Sequence, residues 1–169
     1  MRLPASALVV LIGPSGAGKS TFAARAFAPT QILSSDALRA AVADDPNDQT
    51  ATDAAFELLH VTLGMRLARG RLTVVDATNV ERWARERLLA LARRNRRPAA
   101  AIVLDLPLAT CLERNAARAD RRVPPASLRR QHARMRASLD GLAGEGFEPI
   151  IVLSTTEAME ELHLELAGA

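Results

Sequence analysis

Short apolar runs alternate along this chain with longer segments of helical period, and this alternation is typical of an α/β fold. The apolar runs predict strands over Leu8–Ile12, Gln31–Leu33, Leu72–Val75, Ala100–Leu104 and Ile150–Leu153. The periodic segments predict helices over Lys19–Phe27, Asp36–Val42, Asp53–Arg69, Glu81–Arg94, Leu108–Ala119, Pro125–Ala143 and Glu157–Leu166. No internal repeat or linker interrupts this pattern, so residues 1–169 are expected to form a single domain.

The first predicted strand runs directly into the segment GPSGAGKST, which begins at Gly13. This segment matches G-x-x-x-x-G-K-[ST], the phosphate-binding P-loop, and the order strand, loop and helix is the one that the motif requires. Backbone N–H groups of such a loop point at phosphate oxygens. The residues expected to bind the donor nucleotide are Gly13, Ser15, Gly16, Ala17, Gly18, Lys19, Ser20 and Thr21.

Other polar residues follow the remaining predicted strands, and in a parallel sheet these positions share the edge that binds ligands. Asp76 ends the third strand, where an acid can support Mg²⁺ together with Ser20 or can cap the next helix or pair with an arginine. Asn79 is either a cap or a substrate contact. Asp36 follows the second strand as a helix cap or as the base that takes a proton from an acceptor hydroxyl, and Arg39 lies one helical turn beyond it.

A row of arginines comes after the fourth predicted strand. Arg114, Arg118 and Arg121 are spaced by four and three residues and so share one face of the predicted helix. Guanidinium groups above a P-loop would clamp the transferring phosphate and neutralise its developing charge. The alternative is a solvated arginine face in an arginine-rich protein.

Composition narrows the classes of function. Apolar residues make up 49% of the chain, which is enough for a packed core, and no apolar run reaches the roughly 18 residues of a membrane span. The single Cys111 and the absence of an export signal predict a cytoplasmic protein. The formal net charge is only +3, and 4 Phe, 1 Trp and no Tyr disfavour a single-strand binder built on aromatic stacking.

The blocks GPSGAGKST, SSDALR, DDPNDQT, LTVVDATN and ERNAARADRRV, in this order, resemble the 5′-hydroxyl polynucleotide kinase family. They are most similar to the N-terminal kinase module of the bacterial polynucleotide kinase-phosphatase RNA-repair enzymes, over a stretch from about Leu8 to Leu153. The resemblance implies a P-loop NTPase/kinase fold with a five-stranded parallel sheet, flanking helices and an arginine-bearing lid near residues 114–125. It also implies phosphatase and ligase modules in the same parent chain, from which this domain would be excised; a free-standing kinase is the alternative.

The resemblance further implies roles for individual residues. Asp36 would be the general base and Arg39 a contact to the 3′-phosphate of the acceptor. Gln49, in DDPNDQT, would pack against the terminal base of the acceptor, or it is a capping or turn residue. The residues implied for the donor and lid roles are Lys19, Ser20, Thr21, Arg114, Arg118 and Arg121.

The function expected from these observations is transfer of the γ-phosphate of ATP, GTP or dATP, with Mg²⁺, to the 5′-hydroxyl end of RNA or DNA in nucleic-acid repair. One alternative is a small-molecule P-loop kinase of the gluconate, shikimate or adenylylsulfate type, which would share the same fold. A second alternative is a nucleotide-dependent switch or an RNA-binding module. The preference for RNA or DNA, the donor base and the oligomeric state stay open.

Overall fold

A computed structural model of the protein describes residues 2–119 and 122–167. Its strands are β1 (Arg2–Pro4), β2 (Leu8–Ile12), β3 (Ile32–Ser34), β4 (Thr73–Asp76), β5 (Ala99–Leu104), β6 (Ile150–Leu153) and β7 (Glu165–Ala167). Its α-helices are α1 (Lys19–Ala26), α2 (Ser35–Ala43), α3 (Thr52–Ala68), α4 (Arg82–Arg94), α5 (Leu108–Ala117), α6 (Pro125–Ser138), α7 (Leu142–Glu145) and α8 (Thr156–Glu161). Short 3₁₀ helices cover Pro29–Gln31, Gln49–Ala51 and Leu139–Gly141.

The main sheet has five parallel strands in the order β3-β4-β2-β5-β6. This architecture confirms the predicted α/β fold with a five-stranded parallel sheet flanked by helices. The strand register brings the carboxyl ends together, because Ser34 is opposite Asp76 and Ile12 is opposite Val103. The polar residues that follow β2, β3 and β4 therefore meet at one edge of the sheet, as expected for a ligand site in an open parallel sheet.

The central strand β2 is buried along its whole length, and its side chains alternate between two apolar cores. Val9 and Leu11 pack on one face of the sheet with Phe22 of α1, whereas Val10 packs on the other face with Leu63 of α3. A strand places successive side chains on opposite faces, so a continuous apolar run is what a strand covered on both sides requires.

Strands β2 and β6 have the predicted bounds, and most other boundaries differ from the prediction by one or two residues. Helix α3 ends at Ala68, and Gly70 follows with φ 64°, a left-handed conformation that stops the helix. The helix predicted over Pro125–Ala143 is shorter, because α6 ends at Ser138 and is followed by a 3₁₀ turn and α7.

The helix predicted over Glu157–Leu166 is wrong in its second half. Helix α8 ends at Glu161, and the chain then extends into β7. This strand pairs in parallel with β1, with Arg2 opposite Glu165, and the side chains of these two residues form an ion pair. Neither strand was predicted, because three residues are too few to show a period and the partner lies at the far end of the chain.

No helix within residues 2–119 and 122–167 is both long and apolar enough to cross a membrane.

Candidate active site

The P-loop connects the buried strand β2 to the first turn of α1. Gly16 has φ 79° in this loop, and a Cβ at this position would lie 2.2 Å from the carbonyl oxygen of Cys111 in α5. Only glycine fits there, because a side chain would meet both a strained backbone and a fixed neighbour. The loop therefore packs directly on α5, and its N–H groups lie at the positive end of α1, where anions are favoured.

Lys19 is the first residue of α1 and is only 9% exposed. Its Nζ donates to the carbonyl oxygens of Gly13 and Pro14, at 2.9 Å in both cases. Burial lowers the pKa of the Lys19 amine, and the negative charges of Asp76 and Asp36 oppose that shift. Since charge interactions weaken with distance, this response indicates that both carboxylates lie near the ammonium group.

Asp76 ends β4 beside the P-loop and is 5% exposed. Burial raises the pKa of Asp76, and a hydrogen bond with the Ser20 side chain and the charge of Lys19 oppose this rise. The helix that follows begins after Glu81 without a side-chain cap, so Asp76 does not act as its cap.

The oxygen atoms of Ser20 and Asp76 form a donor set that suits Mg²⁺. This ion takes one or two protein oxygens and completes its shell with phosphate oxygens and water. Within residues 2–119 and 122–167, no group of three or more His, Cys, Asp or Glu residues is arranged to hold a metal. The two side-chain oxygens would suit a Mg²⁺ ion whose other ligands are phosphate oxygens and water.

Asp36 and Arg39 lie on α2, which directly follows β3. Ser34 is the N-cap of this helix, since its Oγ accepts from the Ala37 N–H at 3.4 Å, and Asp36 is therefore not needed as the cap. Nη1 of Arg39 donates to Oδ1 of Asp36 at 2.8 Å and to the carbonyl oxygen of Pro46 at 2.7 Å. The Arg39 side chain is 5% exposed and that of Asp36 is 38% exposed, so the carboxylate is the more accessible member of the pair.

One N–H group of Arg39 has no hydrogen-bond partner. Its Nε is buried and unsatisfied. A buried polar group without a partner is costly, and one of the explanations for such a group is a ligand that completes it. Arg39 lines the cleft described below, but this Nε is enclosed by the protein and is not itself part of the cleft surface.

Gln49 lies in the loop that precedes α3. It begins a 3₁₀ turn capped by Asp48, and its Nε2 donates to the carbonyl oxygen of Asn47 at 3.1 Å. The side chain is exposed and faces the cleft, together with Phe56 one turn into α3. Gln49 thus combines a turn contact with a position at the acceptor end.

The three arginines do not share one helix. Helix α5 ends at Ala117 and not at Ala119, so Arg114 is helical and Arg118 is the extended C-cap residue. The chain turns back because the buried Asn115 holds the backbone of Val123, donating to its O at 2.9 Å and accepting from its N at 3.0 Å. Arg121 lies outside the described residues.

Arg114 and Arg118 nevertheless both reach the cleft. Nη2 of Arg114 donates to Oγ1 of Thr156, at the start of α8, at 2.8 Å. Burial lowers the pKa of Lys19 and raises that of Asp76, and the positive charge of Arg118 adds slightly to the first change and opposes the second. The two arginines therefore bring positive charge to the same space from the end of α5.

These groups surround one cleft of about 740 Å³ at the carboxyl edge of the sheet. Gly13 and Ala17 lie buried beneath it and do not line it. The predicted residues that line it are Ser15, Gly16, Gly18, Lys19, Ser20, Thr21, Asp36, Arg39, Gln49, Asp76, Arg114 and Arg118. The fold thus brings the residues expected to bind the donor and the acceptor, which are far apart in sequence, into one space.

Asn79 is neither a helix cap nor a cleft residue. It is 4% exposed and has φ 49°, and its Nδ2 donates to the carbonyl oxygen of Leu11 at 2.8 Å. It therefore holds the loop after β4 against the end of β2. Both roles considered for it from the sequence are wrong.

Several cleft residues carried no signal in the sequence. Oε1 of Gln131 in α6 accepts from the P-loop N–H of Ser15 at 2.9 Å. Met159 of α8 lies near Gly18, since its Cε is 3.1 Å from where a Cβ of Gly18 would stand. Arg25 of α1 donates to the carbonyl oxygens of Met159 and Glu160 and so joins α1 to α8. No motif marks these residues, because only the packing of α6 and α8 against the P-loop brings them there.

Comparisons with known proteins agree with this geometry. A family model described as an AAA domain matches residues 8–142. No curated protein matches the chain.

Solved structures share the fold at low sequence identity. A chain of the Pnkp1/Rnl/Hen1 RNA repair complex is 17% identical with a TM-score of 0.68, and the match covers 84% of this chain and 47% of that chain. A gluconokinase from Sinorhizobium meliloti 1021 is 19% identical with a TM-score of 0.57, and the match covers 94% of this chain and 88% of that one. The APS kinase CysC of Mycobacterium tuberculosis, solved with AMPPNP and APS, is 19% identical with a TM-score of 0.58 and 94% coverage of both chains.

These likenesses concern the fold alone, because all three identities are below 20%. The family match covers most of the chain, including the donor residues and the paired Asp36 and Arg39. The chain therefore belongs to the AAA domain family, with the fold of the P-loop kinases.

Proposed function

We propose that this domain is a polynucleotide 5′-hydroxyl kinase. It transfers the γ-phosphate of ATP or another purine triphosphate to the 5′-hydroxyl end of RNA or DNA in end repair. The donor half of this proposal is supported by the P-loop and by relatives that were solved with AMPPNP or with ADP-AlF₃. The acceptor half depends on Asp36 and Arg39.

The single observation that carries the proposal is the pair formed by Asp36 and Arg39 in the cleft that also holds Lys19. The pair offers an accessible carboxylate next to a buried guanidinium whose Nε is unsatisfied. A carboxylate orients a hydroxyl and accepts its proton, whereas a guanidinium binds phosphate. An acceptor with both a free hydroxyl and a neighbouring phosphate fits this pair, and the 5′ end of a polynucleotide has both.

The reaction follows from these positions. The acceptor oxygen forms a bond to the γ-phosphorus while the bond from that phosphorus to the β,γ-bridging oxygen breaks. The hydroxyl proton passes to the carboxylate of Asp36, and the leaving diphosphate keeps the bonding electrons. Lys19, Arg114 and Arg118 place positive charge around the transferring group, where negative charge spreads in the transition state.

Ser20 and Asp76 would hold a Mg²⁺ ion, which would supply charge neutralisation to the donor phosphates. Burial raises the pKa of Asp76, so the charged form of its carboxyl group is disfavoured in the protein without a cation. Such a group is stabilised when a cation arrives.

The rival function is phosphorylation of a small metabolite. Gluconokinase and APS kinase have the same fold, and each match covers 94% of this chain. The likeness to the RNA repair complex has the higher TM-score, but at 17% identity it also concerns only the fold. Substrates must therefore be separated by assay. A nucleotide-dependent switch is less well supported, since it would need no proton acceptor beside the donor site.

We also propose that the domain acts together with phosphatase and ligase modules in its parent protein. The repair-complex chain supports this idea by its length, because the match covers only 47% of it. A cytoplasmic location is also proposed, because the single Cys111 cannot form an internal disulfide.

The decisive experiment offers γ-labelled ATP and Mg²⁺ to the protein with a panel of acceptors. The panel contains a 5′-hydroxyl RNA, a 5′-hydroxyl DNA, a nucleoside 3′-monophosphate, the plain nucleoside and gluconate. Label is expected on the oligonucleotides and on the 3′-monophosphate, with little on the nucleoside. Asp36→Asn should reduce transfer by about 10²- to 10⁴-fold, the usual range for loss of a general base, while ATP binding persists.

Asp44→Asn is the matched control, because Asp44 ends the same helix, is exposed and lies outside the cleft. It should transfer phosphate like the wild type. Turnover of gluconate without labelling of any oligonucleotide would replace the proposal with the small-molecule kinase. Full transfer by Asp36→Asn would remove Asp36 as the base.

A further inference from the structure

A fully buried ion pair lies behind the active site. Arg85 of α4 is 0% exposed, and it meets Glu145 of α7 through two parallel bonds. Nε donates to Oε2 at 2.8 Å and Nη2 donates to Oε1 at 2.6 Å. Neither residue lines the cleft, and neither belongs to a motif.

The remaining arm of the guanidinium points at the backbone. Nη1 of Arg85 donates to the carbonyl oxygens of Asn79 and Val80, at 3.0 Å and 2.9 Å. Asn79 has φ 49°, a conformation that is uncommon outside glycine and needs support from its surroundings. The planar guanidinium thus joins one carboxylate to two successive carbonyl groups.

The segment held in this way, residues 77–80, touches the P-loop. The N–H of Gly13, the first P-loop residue, donates to the carbonyl oxygen of Thr78 at 3.0 Å. Asn79 donates to the carbonyl oxygen of Leu11 at 2.8 Å, so the same segment also holds the end of β2. Asp76 directly precedes the segment. A series of hydrogen bonds therefore runs from Glu145 through Arg85 to the start of the phosphate-binding loop.

Stability alone does not account for this arrangement. A buried ion pair is expensive to desolvate, and an apolar pair of similar volume is often as stable or more so. The neighbouring core, which includes Leu88, Leu89, Leu142 and Phe147, would accept apolar side chains. An apolar pair would however leave the carbonyl oxygens of Asn79 and Val80 without their donor.

We propose that Arg85, oriented by Glu145, is a positioning residue that sets residues 77–80 and, through them, the entry of the P-loop and the carboxylate of Asp76. The proposal rests on the nucleotide-binding half of the proposed function and not on the acceptor. It predicts that a variant without the ion pair binds nucleotide more weakly even when its fold is stable.

The experiment replaces both partners with apolar residues, Arg85→Met together with Glu145→Leu, and compares this variant with Glu145→Gln. The melting temperature is measured without nucleotide, and the Kd for ATP with Mg²⁺ is measured without any acceptor. Glu145→Gln leaves a buried cation poorly paired and should melt well below the wild type. The apolar variant should regain most of that loss and still bind ATP at least fivefold more weakly.

Two further variants keep the test decisive. Arg85→Lys retains a charge for Glu145 but lacks the planar fork, so it should also weaken ATP binding and speed hydrogen exchange of peptides that cover residues 11–16 and 77–81. Arg82→Met with Glu86→Leu removes an exposed ion pair from the same helix, whose side chains are 71% and 53% exposed. This matched control should bind ATP like the wild type.

The proposal would be overturned if the apolar variant bound ATP with wild-type affinity and its peptides over residues 11–16 and 77–81 exchanged hydrogen at the wild-type rate. If that variant does not fold, the same result in Arg85→Lys would overturn it. A wild-type protein that binds ATP but labels no oligonucleotide would contradict the proposed acceptor and leave this inference standing, so the two failures are distinguishable.

Discussion

The donor and acceptor sides of the cleft are built in different ways. The donor side is one continuous segment, β2, its loop and the first turn of α1, and it works largely through backbone groups and Lys19. The proposed acceptor side is assembled from α2, Gln49 and the start of α3, and it would work through side chains. Asp36 and Arg39 share a cleft with the P-loop only because β3 pairs with β4 and β4 pairs with β2 in the sheet.

This difference explains why the ligand of the donor side is easier to predict from the sequence than the ligand of the acceptor side. Every residue except proline has a backbone N–H, so a loop that binds phosphate through such groups needs mainly glycines and one lysine, and its pattern is easily recognised. An acceptor is selected by individual side chains, whose roles depend on what faces them. The donor class can therefore be read from nine consecutive letters, GPSGAGKST, whereas the acceptor class requires the assembled cleft.

The largest expected effect tests the donor side. Lys19→Met should reduce phosphate transfer by about 10³-fold or more, because it removes a buried charged donor from the phosphates. Burial lowers the pKa of Lys19, so below that folded-state pKa the protonated amine opposes folding. The variant without nucleotide should consequently melt no lower than the wild type, and this can be measured by thermal unfolding beside a transfer assay.

Arg82→Ala, which removes an exposed arginine outside the cleft, is the control for Lys19→Met. A large drop in melting temperature for Lys19→Met would mean that its loss of activity reflects unfolding and would remove the distinction between the two sides.

A smaller and more selective effect tests the acceptor side. Arg39→Lys should lower kcat/KM for a nucleoside 3′-monophosphate by about 10- to 100-fold, because an ammonium group cannot bind phosphate and Asp36 in the same planar geometry. The value for the plain nucleoside should change little, and the Kd for ATP should stay within twofold. Equal losses on both acceptors would show that Arg39 supports Asp36 and does not contact a phosphate.

The smallest effect concerns pH and links the two sides. Burial raises the pKa of Asp76, so the folded state binds its proton more tightly than the unfolded chain. The contribution of Asp76 to the free energy of unfolding is therefore greatest below the ordinary carboxyl pKa. It falls as the pH rises toward the raised pKa of the folded state. Asp76→Asn should melt higher than the wild type near neutral pH, and the difference should vanish in acid, as thermal unfolding across the pH range will show.

The same Asp76→Asn variant should respond less to Mg²⁺ when it binds ATP, while Asp44→Asn should match the wild type in both assays. A variant that melts lower than the wild type at neutral pH would mean that the Asp76 carboxylate stabilises the protein instead of being held at a cost.

The elements that could be predicted from the sequence are those with a clear period or a long apolar run. The bounds of β2 and β6 agree with the structure, and the helices begin within one residue of their predicted starts. Helix α5 ends two residues before its predicted end, because Asn115 binds the backbone of Val123, a residue beyond the helix. Strands β1 and β7 were missed because each is stabilised by a partner at the other end of the chain.

By itself the sequence determined the fold class, the phosphate loop and the identity of the polar residues that follow the strands, because local periodicity and backbone requirements leave marks on neighbouring letters. Only the tertiary structure decided that Ser34 and not Asp36 caps α2, that Asn79 supports the sheet, and that Gln131 and Arg85 reach the phosphate loop or its supports. Each of these contacts joins residues through the strand order and helix packing, and such contacts have no local pattern along the chain.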